Sequence, residues 1–174
     1  MFRDAGYGLT RVVLDASRCG VPQKRKRFFM IGRLGSEDDF LEHSLLSDQD
    51  DHNMTIREYL GDEFDTEFYY RHPRSYARRG IFSIDEPSPT VRGVNRPIPA
   101  TYQIHPGDAT DDLSRVRPLT TLERARIQTF PREFTFEGSK TDLEQIIGNA
   151  VPVELAAYVG RHLLDYMNDC LVED

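Results

Sequence analysis

An α/β chain of two lobes is predicted by three features of the sequence. Two β-rich apolar runs, LTRVVL at 9–14 and RFFMIG at 27–32, stand near its start. Three stretches further on pair Thr with Glu three residues later, the signature of a capped helix start. Residues 71–110 are dense in Arg, Pro and Gly and hold only short β-like runs, the composition of a loop-rich lobe.

The first two runs, joined by an irregular stretch with Gly20 and Pro22, predict an antiparallel pair of strands. Residues 35–53 are polar and acidic and predict a loop or linker. Thr55 and Glu58 open a short helix that ends near Gly61. IFSI, PTVRG and TYQI are the short strands expected in the loop-rich region. Thr120 and Glu123 start a helix that runs to about Gln128 and is closed by Pro131. Thr141 and Glu144 make a third capping box, on a helix stopping at Gly148, and Pro152 suits the first turn of the next. In that last helix Leu155, Val159, Leu163 and Tyr166 form one apolar stripe, so it docks on an apolar surface. A lone hairpin is marginal in water, and the other strands are short, so the chain reads as part of a larger α/β domain.

With 174 residues, a formal charge of -7 and 39% hydrophobic residues, the composition is that of an ordinary soluble chain of one domain or two small lobes. No apolar run nears the roughly 18 residues of a membrane span, and MFRDAGYG lacks the apolar core of a secretory signal. Cys19 and Cys170 lie far apart without metal-ligand spacing, which suggests a reducing compartment and no disulfide framework. DQDDH at 48–52 does not predict a metal, since a calcium loop begun at Asp48 would meet Asn53 where glycine is wanted and Tyr59 where glutamate is. The net charge conceals blocks: +6 over residues 1–33, -11 over 34–70, +5 over 71–132 and -7 over 133–174. Two basic blocks could line one cleft for a polyanion, or the charges could alternate along solvated loops.

Three segments carry more chemistry: GVPQKRKRFFMIG at 20–32, RPLTTLERARIQTFP at 117–131 and QIIGNAVPVELA at 145–156. In this order they resemble the last three motif blocks of the DNA cytosine-5 methyltransferases: Gln-x-Arg-x-Arg, then Arg-x-Leu-Thr with Glu-x-Ala-Arg-x-Gln-x-Phe-Pro, then Gly-Asn-x-Val-Pro. The resemblance covers essentially the whole chain, with residues 34–116 in the place of the family's variable target-recognition region. It implies the C-terminal part of an S-adenosylmethionine-dependent, Rossmann-like methyltransferase fold plus a small loop-rich DNA-recognition lobe. On that basis residues 1–33 end the catalytic domain, 34–132 form the recognition lobe and its supporting helix, and 133–174 return to the catalytic domain.

The same resemblance implies roles. Arg27 would approach the O2 of a flipped cytosine, where negative charge grows during attack at C6. Arg25 would fix nearby backbone and Gln23 would orient the loop, while Lys24 and Lys26 meet phosphate or solvent. Asn149, Ala150 and Val151 would wall the S-adenosylmethionine pocket, although an Asn also favours such a turn for its own backbone reasons. In SPTVRG at 88–93, Thr90 and Val91 take the place of the family's Thr-Leu dipeptide, ahead of Gly93. Arg92 and Arg96 are then candidates for guanine edges or phosphates. Arg71, Arg74, Arg78 and Arg79, interleaved with Tyr69, Tyr70 and Tyr76, form a second DNA-facing candidate or a solvated Arg-rich loop. Arg124 and Arg126 would contact phosphate or internal carboxylates, and the internal role is the one expected, since the family's second block organises the recognition region.

The family's Phe-x-Gly-x-Gly, Pro-Cys-Gln and Glu-Asn-Val segments have no counterpart in this sequence. Neither Cys19 nor Cys170 has the setting of the nucleophile. The chain is therefore expected to be inactive alone and to work on duplex DNA with a second polypeptide carrying the missing motifs, in a bacterial cytoplasm and a restriction–modification setting. A non-catalytic DNA-binding module or a decayed relic is the alternative.

Overall fold

The computed structural model describes residues 1–75 and 77–172, so Tyr76 lies outside the described residues. Strands Tyr7–Asp15 (β1) and Lys26–Leu34 (β3) pair antiparallel as expected, from Tyr7 opposite Leu34 to Asp15 opposite Lys26. Strand alternation gives this hairpin two faces. Val12 and Leu14, with Phe29 and Ile31, meet the long helix Val153–Val172 (α5) through Leu155, Tyr158, Val159, Leu163 and Tyr166. The expected stripe is the docking face. On the other face Val13, Phe28 and Met30 stay exposed, Phe28 by 62%, and β3 is the only strand paired with β1 among the described residues.

Residues 35–53 are not a plain loop. They contain the short helix Glu42–Ser47 (α1), whose Leu45 and the preceding Leu41 are buried against β1 and α5. Thr10 Oγ1 accepts from the Leu41 amide at 3.0 Å, and Tyr158 donates to the Leu45 carbonyl at 3.1 Å. Two apolar anchors in an acidic string give too sparse a period to be read as a helix.

The loop-rich lobe is built on a three-stranded sheet. Phe68–Tyr70 (β4) is central, antiparallel to Ile81–Ser83 (β5) and parallel to Val116–Pro118 (β7). Only β5 matches an expected strand. TYQI is irregular, because the Tyr102 hydroxyl turns inward to accept from Gly80 N and to donate to Asp108. PTVRG contributes only its start, in Ser88–Pro89 (β6), which pairs parallel with Gln23–Lys24 (β2) and so ties the lobe to the hairpin.

Helices Ile56–Leu60 (α2) and Thr121–Ile127 (α3) carry the expected capping boxes. Helix Lys140–Asn149 (α4) is capped by Ser139 and Asp142, not by Thr141 and Glu144. Glu144 is unavailable because it points inward to Arg124. Ile56, Tyr69, Phe82, Val91, Leu119, Ile127 and Ile147 share one apolar cluster, so α4 packs on the loop-rich lobe. No helix among the described residues is long and apolar enough to cross a membrane.

Asp108 holds the irregular part of the lobe together. Burial by itself would push its carboxyl up. Donors at His105 N (2.8 Å), Tyr102 (2.7 Å), and Ile81 N and Gly80 N (2.9 Å each) outweigh that and hold it below the usual carboxylate range. A depressed folded pKa gives stability that is complete above the unfolded value and lost as pH falls through the folded one. Asp108→Asn should therefore melt below the native chain at pH 7, with the gap closing below about pH 4. A gap that ignores pH in thermal scans would show that the charge is not what counts.

Candidate functional site

Period-two alternation splits the basic run at the mouth of β3. Gln23 and Arg25 point inward, Lys24 and Lys26 outward. Gln23 is fully buried: its Oε1 accepts from Val91 N at 2.8 Å and its Nε2 donates to Gln128 Oε1 at 2.8 Å. Gln128 in turn donates to the Ile147 carbonyl, and its own carbonyl accepts from Val153 N. Arg25, 3% exposed, donates to the Val91 carbonyl at 2.9 Å and the Gly148 carbonyl at 3.0 Å. Gly148 lies in the last turn of α4, where carbonyls lack helical partners and the helix end is negative, so a guanidinium is matched there without a carboxylate. Burial and the neighbouring charge of Arg27 bring Arg25 down to about 10, still ionised at neutral pH.

These bonds make a polar core that joins all three motif blocks to the 88–93 segment. Gln128 was present in the second block but carries no charge, and only its full burial in the folded chain reveals its part. Thr129 follows with the left-handed φ of 61°, unusual for a β-branched residue. Its hydroxyl oxygen accepts from Glu154 N at 2.9 Å and so caps the start of α5.

Arg27 sits at the rim of this core. It is half-buried, donates to the Lys26 carbonyl at 2.9 Å, and makes no ion pair among the described residues. Its charge is thus available to a ligand.

Lys24, three residues before Arg27, lines a cleft of about 670 Å³ together with Arg71, Arg74, Arg78, Arg79 and Arg92. The candidates divide by what already holds them. Arg74, Arg78 and Arg96 are exposed and make no ion pair among the described residues. Arg79 is engaged by Glu86 and the Phe82 ring, 4.3 Å from its guanidinium. Arg92 donates to the His72 carbonyl, and Thr90 Oγ1 to the Lys24 carbonyl at 2.9 Å. Two expectations are corrected. Val91, 5% exposed, has its side chain in the apolar core instead of the cleft. Tyr69 and Tyr70 are buried as well, Tyr69 stacked on Phe82, since β4 is the central strand of its sheet. Gly93 presses against α4 and faces it with its carbonyl.

Arg124 and Arg126 are internal, as expected. Arg124 pairs with Glu144 between α3 and α4, and Arg126 with Glu63 at 3.2 Å. Burial, and then the charge of Arg92, lower both Arg71 and Arg124 to about 10. All remain cationic at neutral pH, so the field at the cleft is positive although the chain is acidic.

The 149–151 turn links α4 to α5. Asn149 and Val151 are exposed and Ala150 is half-buried, its amide closing the helix onto the Ile146 carbonyl. The Asn149 side chain makes no hydrogen bond among the described residues, which leaves a donor and an acceptor beside an exposed apolar Val151.

The family described as C-5 cytosine-specific DNA methylase matches residues 1–165. The type II methyltransferase M.HindV of Haemophilus influenzae is 60% identical over 166 residues, covering 95% of this chain and 55% of that protein. M.HgiDI of Herpetosiphon aurantiacus is 58% identical, covering 97% and 54%. The chain thus spans about half the length of the curated relatives it matches. Among solved structures, the Dnmt2 methyltransferase of S. pombe superposes with a TM-score of 0.59 at 19% identity, covering 96% of this chain and 60% of that one, a likeness of α/β methyltransferase fold alone. With its three motif blocks gathered round one polar core and a family match along nearly all its length, the chain belongs to the C-5 cytosine-specific DNA methylases.

Proposed function

We propose that this chain is the C-terminal portion or smaller subunit of a DNA cytosine-5 methyltransferase of a restriction–modification system, acting on duplex DNA in a bacterial cytoplasm. The observation that carries the reading is Arg27, which makes no ion pair among the described residues and stands next to a buried Gln23–Arg25–Gln128 core, three residues after Lys24 of the basic cleft. In this reading the cleft's Arg74 and Arg78 and the exposed Lys24 hold phosphates together with Arg96, which lies outside the cleft lining, and base edges come in reach of Arg92 and Arg96. A flipped cytosine stands against Arg27. The guanidinium is fixed before reaction, so it favours the negative charge that grows on the ring over the neutral ground state. The division at 33 and 132 is here one of role, with strands and final helices serving chemistry and the middle serving recognition, and not one of packing, since α1 lies on the hairpin and α4 on the recognition lobe.

S-adenosylmethionine supplies the methyl group when bound. Asn149, Ala150 and Val151 suit one wall of its site, since an amide with free donor and acceptor beside an apolar side chain matches a polar, flat ligand such as a nucleoside. The remaining walls, and the thiolate, belong to a second polypeptide or a preceding segment. The exposed Val13–Phe28–Met30 face supports a partner there, and nearly half of the length of the relatives lies outside the matched part.

Radiolabelled S-adenosylmethionine and mixed-sequence duplex test this with the chain, the complementary Pro-Cys-Gln-bearing segment, and both together. Methyl transfer is expected only in the mixture, and sedimentation should show a self-associating chain become a one-to-one complex. A complex that forms without transferring methyl groups would favour a DNA-binding role, and transfer by the chain alone would overturn the assignment of the nucleophile to another segment.

A further inference from the structure

Between Thr90 and Gly93 the backbone is held by Arg71 together with residues of all three motif blocks. Four successive carbonyls each accept from a different part of the fold. Arg71, after β4, donates to Thr90 O at 2.7 Å. Arg25, between β2 and β3, donates to Val91 O at 2.9 Å. Arg124 of α3 donates to Arg92 O, and Gln145 of α4 to Gly93 O at 3.2 Å. Gln23 takes the Val91 amide. Helix α4 also braces the segment directly: a Cβ on Gly148 would lie 2.2 Å from Gly93 N and 2.3 Å from the Arg92 carbonyl carbon. An irregular segment ordinarily leaves such carbonyls to water and keeps its freedom to shift. Here every one of them is used, and the Val91 side chain is anchored in the apolar core as well.

We infer that Arg71, Arg124 and Gln145 are positioning residues that set the sequence discrimination of the DNA-reading segment 90–96 by fixing its backbone before DNA arrives. A segment already locked loses little freedom on binding its fitting duplex and cannot re-pack to accept a wrong one, so the lock acts on the difference between duplexes. The phosphate contacts of Arg74, Arg78 and Lys24 lie on other segments and supply affinity for any sequence. The inference rests on the reading of this cleft as a duplex-DNA site.

Gln145 is exposed and outside the cleft lining, so Gln145→Ala loosens one tie without emptying the core. Binding of a randomised duplex pool to the 174-residue chain, with sequencing of the bound fraction, identifies its preferred duplex. Anisotropy then gives affinities for that duplex, for single-mismatch versions and for unselected duplex across a salt series. The native chain should disfavour a mismatch by about tenfold or more. Gln145→Ala should bring this to within about threefold, with unchanged affinity for unselected duplex and an unchanged salt slope. Gly148→Ala, whose Cβ would press on the same backbone from one turn further along α4, should also bring the mismatch penalty to within about threefold. Native discrimination in both variants would overturn the inference, as would a uniform loss of affinity with a shallower salt slope, the mark of a phosphate contact. A native chain that selects no sequence would overturn the reading of the cleft itself, a result distinct from selection that survives the substitutions.

Discussion

Arg27→Ala should lower turnover of the assembled enzyme by about 10²–10³-fold, the usual loss when one donor to a developing anion is removed. Duplex affinity should change by no more than about threefold, because in the proposed role the contact strengthens only as charge moves onto the ring. The surrounding geometry makes this a clean test. Among the described residues Arg27 makes no ion pair and donates only to the carbonyl of its neighbour Lys26, so its removal leaves the Gln23–Arg25–Gln128 core in place. Arg27→Lys should recover part of the rate, since it restores charge without the planar fork. Single-turnover rates and equilibrium binding on the same preparations separate the two effects. Equal losses in rate and affinity would mark Arg27 as a phosphate anchor.

Arg124→Ala should destabilise the chain by about 3–5 kcal/mol, the range found when one partner of a buried ion pair is deleted. Both side chains are 6% exposed, and Glu144 Oε1 also accepts from Thr121 at 2.8 Å. Removing the guanidinium leaves a carboxylate between α3 and α4 with hydroxyl and amide donors but no counter-charge. It also frees the Arg92 carbonyl. Replacing both partners by leucine should cost much less than the single substitution, because no charge is then stranded. Urea unfolding of the two variants decides the point: a double variant as unstable as the single one would show that the cost arises from lost packing.

The parts of this molecule that were legible beforehand are those whose signal is local. A hairpin of apolar runs, an amphipathic last helix and the Thr55 and Thr120 capping boxes each depend on neighbours within a few residues. What could not be read depends on distant partners. Glu144 has the spacing of a capping residue, yet Arg124 draws it inward and Asp142 takes the cap. Tyr69 and Tyr70 beside the arginines resemble a nucleic-acid surface, yet they are buried because β4 is flanked on both edges, and one flank is Val116–Pro118, too short and proline-broken to show as a strand. At the site, charge and motif made Arg25, Arg27 and Asn149 visible, while Gln128 and Gln145 became meaningful only once their carbonyl partners were in place.

The polar core has a consequence for how the chain comes to exist. Gln23 meets Gln128 across 105 residues and Arg25 meets Gly148 across 123. Contacts of such separation form slowly, because the intervening chain must be ordered before they give anything back. During synthesis the hairpin therefore emerges long before the residues that satisfy its buried amide and guanidinium. Until α4 leaves the ribosome, a basic strand pair with one apolar face lacks its final partners and is exposed to misassociation. The bonds that hold the site in register are thus among the last to be made, and a nascent chain interrupted before Gly148 contains the proposed catalytic arginine but lacks the carbonyl that completes the hold on Arg25.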